Sequence, residues 1–220
     1  MPQPDVIAVI LDLVNSRQLS NRRVAQLETE RSIEVVNRRV AAVQPLAPTV
    51  GDEFQGVYAS VGDALHATLL VRLAIPAGID CRFGLGRGPV WPIGEGAVGA
   101  IQDGPGWWRA REAIDQAHKR AEVRTPTLRT WYLSDLDANQ NHQGPTEQAL
   151  INSYLLARDH LIGGMSDRAR RMTLGVMMGR SQGEIAEDEG ITQSAVSQSL
   201  RKSGGSVLLA GLHELLEGTE

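Results

Sequence analysis

Two short strings in the sequence carry the residue types of metal and phosphate chemistry. Asp12 closes the apolar run Val6-Ile7-Ala8-Val9-Ile10-Leu11, and Asp52 lies within Gly51-Asp52-Glu53-Phe54. Two carboxylates a few ångströms apart repel one another unless a cation stands between them. Oxygen ligands favour Mg²⁺ or Mn²⁺, which take one or two carboxylates and share the remaining positions with substrate phosphates. The backbone carbonyl of Leu13 can add a ligand, and the amides of Asn15, Ser16 and Arg17 can hold a phosphate. Each acid alone reads more plainly, Asp12 as a helix cap and Gly51-Asp52 as a hairpin turn. The pair together, with Glu53 adjacent, points to a metal–phosphate site.

A second chemistry is written between Ser181 and Lys202. Ser181 with Glu184 is a capping box. Ala186 is small where two helices must cross, Gly190 supplies a left-handed turn, and Thr192 caps a second helix. Val196 and Leu200, one helical turn apart, face the first helix. This spacing matches a DNA-binding helix-turn-helix. The exposed face then offers Gln193, Ser194, Ser197 and Gln198 to base edges, and Arg201 and Lys202 to phosphates. A helical hairpin used only for packing is the plainer alternative, and the acidic stretch Glu187-Asp188-Glu189 favours it.

Elements must position these residues. Val6–Leu11 reads as a strand buried on both faces, with Asp12 at its tip where open sheets place ligands. The pattern from Asn21 to Val43 is helical, with Val24, Leu27, Ile33, Val36 and Val40 as its apolar face. A hairpin turns at Gly51-Asp52, and a helix runs from Val61 to Ile75. Ile79–Gly88 alternates like a strand but contains three glycines, so another backbone must come close. A Gly/Pro-rich loop runs to Gly96, a short strand spans Ala97–Ile101, a helix spans Trp107–Lys119, and Leu128–Leu133 is a last strand. Trp107 and Trp108 point about 100° apart, so one can stack on a base while the other packs in the core. The order β-α-β-β-α-β, then helix and strand, is that of a split βαβ, ferredoxin-like fold. The expected class is α+β, with a palm-like domain at 1–138, a linker at 139–145 and a helical domain at 146–220 that holds the helix-turn-helix at 181–202.

Composition bounds the partners. The 220 residues carry a net charge of −4 and 22% charged residues, so bulk positive charge does not drive nucleic-acid binding. After residue 144 there are seven Lys and Arg against ten Asp and Glu. DNA binding there would have to be local, helped by a symmetric dimer. The apolar faces Leu150, Tyr154, Leu155 and Leu208, Leu209, Leu212, Leu215 can pack or dimerise. The single cysteine, Cys81, makes no internal disulfide and no zinc spacing. With no signal-peptide pattern and no apolar stretch of about 20 residues, the expectation is a cytoplasmic protein with no membrane contact.

The string Asp12-x-x-x-Ser16, then Gly51-Asp52-Glu53-Phe54, Arg82-Phe83-Gly84-Leu85-Gly86-x-Gly88-Pro89-Val90 and Ala110-Arg111, resembles the palm domain of class III nucleotide cyclases. Gly-Asp-Glu-Phe also resembles the signature of GGDEF diguanylate cyclases. Gly-Asp-Glu-Phe-Gln-Gly, Asp-Gly-Pro before Ala-Arg-Glu, and the C-terminal helix-turn-helix are together more similar to the SatD-like family. The resemblance implies metal ligands at Asp12, Asp52 and Glu53, and in Arg111 the arginine that stabilises triphosphate charge in cyclases. Pro48 stands where cyclases carry an adenine-reading lysine, Trp107 where they carry an asparagine, and Asp103 near the base-reading acid. The leading expectation is a DNA-binding regulator whose palm binds a metal–nucleotide ligand and biases the helix-turn-helix. The alternatives are a nucleotide cyclase or related phosphoryl-chemistry enzyme, and a non-catalytic partner protein with a degenerate palm.

Overall fold

Strand β1 (Val6–Leu13) sits at the centre of a five-stranded sheet because its apolar run has no polar face to offer solvent. The computed structural model describes residues 4–16, 21–49, 51–96, 99–135 and 145–217. The sheet order is β2 (Gln44–Pro48), β3 (Phe54–Tyr58), β1, β4 (Cys81–Gly88), β7 (Thr130–Leu133). β1 pairs antiparallel with β3 and β4, and β4 runs parallel to β7. Strand alternation splits β1 between two cores. Ala8 and Ile10 pack with Val57, Trp107, Ala110 and Ile114. Ile7, Val9, Leu11 and Leu13 enter the larger core on the other face.

Helix α3 (Pro105–Val123) lies directly over β4. The glycines of β4 permit this. A Cβ on Gly84 would lie 2.5 Å from the amide nitrogen of Ile114, and Gly86 meets the backbone of Gly106 and Ala110 just as closely. The close approach expected from a glycine-bearing strand is therefore made by α3.

On the opposite face, α1 (Arg22–Asn37) and α2 (Val61–Ala74) pack together. Asn21 caps α1 by accepting from the Val24 amide. The apolar face read from the sequence is wrong in part. Val24 and Leu27 are exposed, and the buried stripe is Ala25, Thr29, Ser32, Ile33 and Val36. The small residues let the helices approach, and the Ser32 hydroxyl donates to the Ala74 carbonyl at 3.2 Å. Helix α2 is buried on every side, with all residues from Ala64 to Leu73 inside.

The C-terminal helices are α4 (Glu147–Gly163), α5 (Asp167–Met177), α6 (Gln182–Glu189), α7 (Gln193–Ser203) and α8 (Gly205–Glu217). Leu155, Ile162, Ala169, Met177, Leu208 and Leu212 share one core with α2 and the sheet. The expected linker at 139–145 lies, Pro145 apart, outside the described residues. The Gly/Pro-rich stretch expected as a loop is instead strand β5 (Trp91–Gly96), paired antiparallel with β6 (Gly99–Asp103). The pairing shifts between Pro92 and Gly94, and a two-stranded ribbon tolerates such residues because its outer backbone faces solvent.

Both rims of the five-stranded sheet are closed by side chains. At β2, Asn37 donates to the Leu46 carbonyl and accepts from its amide, at 2.8 and 3.2 Å. At β7, Asn152 does the same for Tyr132, at 2.9 Å each way. Gln148 accepts from the Ser134 amide, and Asp159 accepts from the amides of Arg129 and Thr130. Arg158, also buried, donates to Asp159, Thr68 and Thr130. Removing one partner of such a buried charged pair costs about 3–5 kcal/mol, so α4 is fixed to the sheet edge.

The segment expected as a helix-turn-helix forms two helices joined at Gly190, whose φ is +63°. The capping box of Ser181 and Glu184 is made on both sides. Val196 and Leu200 are buried with Ile185, Ala186 and Met172. Glu189 is neutralised by Arg168 and Arg171 of α5, at 3.0 and 2.9 Å, and Arg180 pairs with Asp188. This geometry by itself assigns no ligand to the pair. Among the described residues no helix is long and apolar enough to cross a membrane.

Candidate functional site

Asp12 occupies an even position of β1, so it faces the α3 side together with Ile10. Its partner in the β4 register is Arg82. The Arg82 Nη1 lies 3.7 Å from Asp12 Oδ2, beyond hydrogen-bond reach. Asp12 Oδ1 is buried without a partner, and so is Arg82 Nε. Burial pushes the Asp12 carboxyl above its usual range; Arg82 opposes this, and Asp52 and Glu53 add to it. The Asp12 carboxyl at the β1 tip therefore feels both acids of the β2–β3 turn.

The turn is set by Gly51, whose φ of +77° suits a residue without Cβ. It presents Asp52 and Glu53 to two arginines. Arg22, the first residue of α1, donates to Asp52 Oδ1 at 3.2 Å. Arg111 of α3 grips Glu53 with both nitrogens, at 2.7 and 2.8 Å, and Gln55 donates to the same carboxylate at 2.8 Å. The hydrogen bond to Glu53 raises the Arg111 pKa further. The Arg22 and Arg111 side chains are each about half exposed, and such pairs contribute about 0–1 kcal/mol. They can exchange partners without unfolding anything.

Beside this cluster lies a cleft of ≈ 470 Å³ lined by Ile10, Gln55, Gln102, Trp107, Trp108 and Arg111. Trp107 is buried, and its Nε1 has no hydrogen-bond partner; nor has Gln102 Oε1. Buried polar atoms without partners are uncommon and call for a cause. Trp108 is exposed and donates through Nε1 to Asp103 Oδ1 at 2.6 Å. Asp103 also accepts from the Gly104 amide at 2.7 Å.

The structure thus brings Asp12, Asp52, Glu53 and Arg111 into one neighbourhood, and Trp107 and Arg111 into one cleft. Leu13 is buried within β1 opposite Cys81. Asn15 has a positive φ of 54° and Ser16 is buried. Arg17 lies outside the described residues. On α7, Gln193, Ser194, Gln198, Arg201 and Lys202 are exposed and Ser197 is half-buried. Arg22, Arg82, Gln55 and Gln102 were missed in the sequence. Gln55 was readable, since it lies two residues beyond Glu53, the spacing at which an extended chain returns to the same side. Arg82 follows only from the β1–β4 register.

Whether these residues suit a divalent cation can be judged on the donors. Among the described residues no group of three His, Cys, Asp or Glu is assembled to hold a metal; Asp52 and Glu53 are paired with Arg22 and Arg111. Asp12, however, offers a buried oxygen without a partner next to two further carboxylates. Carboxylate oxygens are the donor type a hard cation takes.

The acidic tip belongs to a five-stranded mixed sheet, and solved structures of several nucleotide cyclase domains align with part of the chain. The guanylate cyclase domain of RhGC from Catenaria anguillulae, in complex with GTP, aligns at 18% identity and a TM-score of 0.43, over 52% of this chain and 74% of that one. A non-canonical dimeric guanylyl cyclase domain from Blastocladiella emersonii aligns at 16% and 0.43, over 52% and 77%. A bacterial light-regulated adenylyl cyclase aligns at 14% and 0.45, over 65% and 47%. None of the curated proteins compared with the chain matches it. The chain belongs to the SatD family, whose model matches residues 6–213.

Proposed function

We propose that the palm takes up a divalent cation together with the phosphates of a nucleoside triphosphate and carries out phosphoryl chemistry on it. The observation that carries this reading is Asp12, a carboxylate with one buried oxygen unpartnered, set among Asp52, Glu53 and three arginines. Asp12, Asp52, Glu53 and the carbonyl of Leu13 would hold Mg²⁺ or Mn²⁺. Bound there, the cation would neutralise phosphate charge and polarise a phosphoryl oxygen. Arg111 reaches the same place from α3 and would bind phosphate oxygens bidentately. Trp107 and Gln102 would meet the base with a donor and an acceptor that have no partner in the protein. Pro48, in β2, supplies no side-chain polar group, so base choice would differ from that of an adenine-reading cyclase.

The test is incubation of the full chain with each of the four nucleoside triphosphates and Mn²⁺, followed by chromatography of the products. Cyclic nucleotide with pyrophosphate, or diphosphate with phosphate, is the expected sign of turnover. Absence of both binding and turnover for all four refutes the reading.

A second reading is favoured by α7. Gln193, Ser194, Gln198, Arg201 and Lys202 lie on its solvent side while Val196 and Leu200 are buried. A helix so presented suits a major groove. Nucleotide binding without turnover, together with salt-dependent DNA binding, would make the chain a ligand-responsive DNA-binding regulator.

A further inference from the structure

Each carboxylate at the tip of the palm faces its own arginine, and each arginine comes from a different element. Arg22 of α1 holds Asp52, Arg111 of α3 holds Glu53, and Arg82 of β4 stands 3.7 Å from Asp12. Three negative groups are balanced by three positive ones. Arg82 has a side chain only 10% exposed, yet its Nε has no partner and its guanidinium is directed at Asp12 without reaching hydrogen-bond distance. A buried guanidinium left short of its hydrogen bonds is costly unless something else completes them. An anion with several oxygens does so.

We propose that Arg22 and Arg82, with Arg111, are the polyphosphate-binding residues of the site, and that cation and polyphosphate enter by exchanging partners with the three ion pairs. The proposal rests on the reading of the palm as a cation–nucleotide site. A cation alone must draw Asp52 and Glu53 from their arginines and leave the guanidinium groups, one of them buried, without counter-charges. A polyphosphate alone must draw the arginines away and leave three carboxylates facing one another. Together the two exchange every partner one for one. The carboxylates pass to the cation and the arginines to the phosphate oxygens, so neither charge type is stranded. Binding of the two is therefore positively coupled, and the coupling is reciprocal.

The experiment is calorimetric titration of the full chain with MnCl₂, with sodium tripolyphosphate, and with each in the presence of the other, corrected for their mutual complexation. Thermal unfolding midpoints give a second readout. Each is expected to bind at least about fivefold more tightly when the other is present, the lower end of ordinary coupling. The variants Arg22→Gln and Arg111→Gln, both at exposed side chains, carry the sharper signature. Each should strengthen binding of Mn²⁺ alone, because a carboxylate is released, and weaken binding of tripolyphosphate with Mn²⁺, because a phosphate partner is lost. Mn²⁺ binding equally tightly with and without tripolyphosphate overturns the exchange and leaves the cation site standing. Variants that weaken both titrations, or change neither, also overturn it. If neither ligand binds the wild-type chain in any titration, the exchange and the nucleotide reading fall together.

Discussion

Helix α3 carries Trp107 and Arg111 into the site, and it can do so only because β4 carries glycines at 84, 86 and 88 beneath it. The substitution Gly84→Ala tests that dependence. The new Cβ would lie 2.5 Å from the Ile114 amide nitrogen and closer still to the Ala110 carbonyl, where ordinary contact begins at 3.4 Å. Both atoms are backbone, so no rotamer change relieves the clash. The helix must retreat by about 1 Å, and the contacts of Trp107, Ala110 and Ile114 with Ala8 and Ile10 loosen with it. Overpacking a core typically costs about 1–3 kcal/mol and occasionally more. Because a whole helix must move here, the expected loss is at least about 3 kcal/mol. The control is Gly94→Ala, where an added Cβ meets nothing within 4 Å. That change should be neutral, or stabilising by up to about 1 kcal/mol through a less flexible unfolded chain. Urea unfolding of both variants measures the difference, and tripolyphosphate binding in the presence of Mn²⁺ should fall only in Gly84→Ala. A Gly84→Ala protein within 1 kcal/mol of wild type would refute the claim that α3 is seated on the glycines.

Asp12→Asn should abolish Mn²⁺-dependent polyphosphate binding while leaving the ligand-free protein as stable or more so. Burial holds the Asp12 pKa high, so its share of stability is complete at low pH and is lost as pH rises through the raised value; a lower melting temperature for the variant at neutral pH would contradict this. Asn152→Ala should cost about 1–3 kcal/mol by stranding the amide and carbonyl of Tyr132, with faster hydrogen exchange at that amide as the readout. His66 is buried and its pKa is pushed below 6.5 by burial and by Arg39. The unfolded chain therefore takes up this proton first, stability falls as pH drops below about 6.5, and His66→Gln should flatten the dependence of the urea midpoint between pH 7 and 5. If α7 enters a major groove, Gln193→Ala or Gln198→Ala should relax preference at one base pair by about 1–3 kcal/mol, whereas Arg201→Ala should weaken binding to all sequences and reduce the salt slope by about 1; equal effects on every sequence from all three would remove base reading by this helix.

What the sequence disclosed follows the range of the interaction concerned. β1 was legible because six consecutive apolar residues admit few other fates, and the caps at Ser181, Thr192 and Gly190 were legible because capping is settled within four residues. The buried stripe of α1 was misread because Ala25, Thr29 and Ser32 are small or polar, and only the partner helix decides that such residues go inside. The acidic stretch ending at Glu189 favoured a packing hairpin, and its balancing charges, Arg168 and Arg171, lie 21 and 18 residues earlier. In the candidate site the acids stood out by type and spacing. Their arginines did not, since Arg22 and Asp52 are 30 residues apart and Arg111 and Glu53 are 58 apart. Long-range pairing of common surface residues leaves no periodic trace in a single chain.

The two asparagines at the sheet rims have a consequence for how copies of this chain behave at high concentration. A sheet edge with free amides and carbonyls is a template on which a neighbouring molecule can lay down its own strand and begin a fibril. Here Asn37 occupies that template at Leu46 and Asn152 occupies it at Tyr132. Pro45 and Pro48 remove two further donors from the first rim. Growth of the sheet from one molecule into the next is thus blocked at both ends. Encounters between copies are left to the faces and to the β5–β6 ribbon, where Ile93 and Ile101 are exposed not far along the chain from Trp108. Loss of either asparagine would unlock a rim, and a protein that still folds could then become one that polymerises.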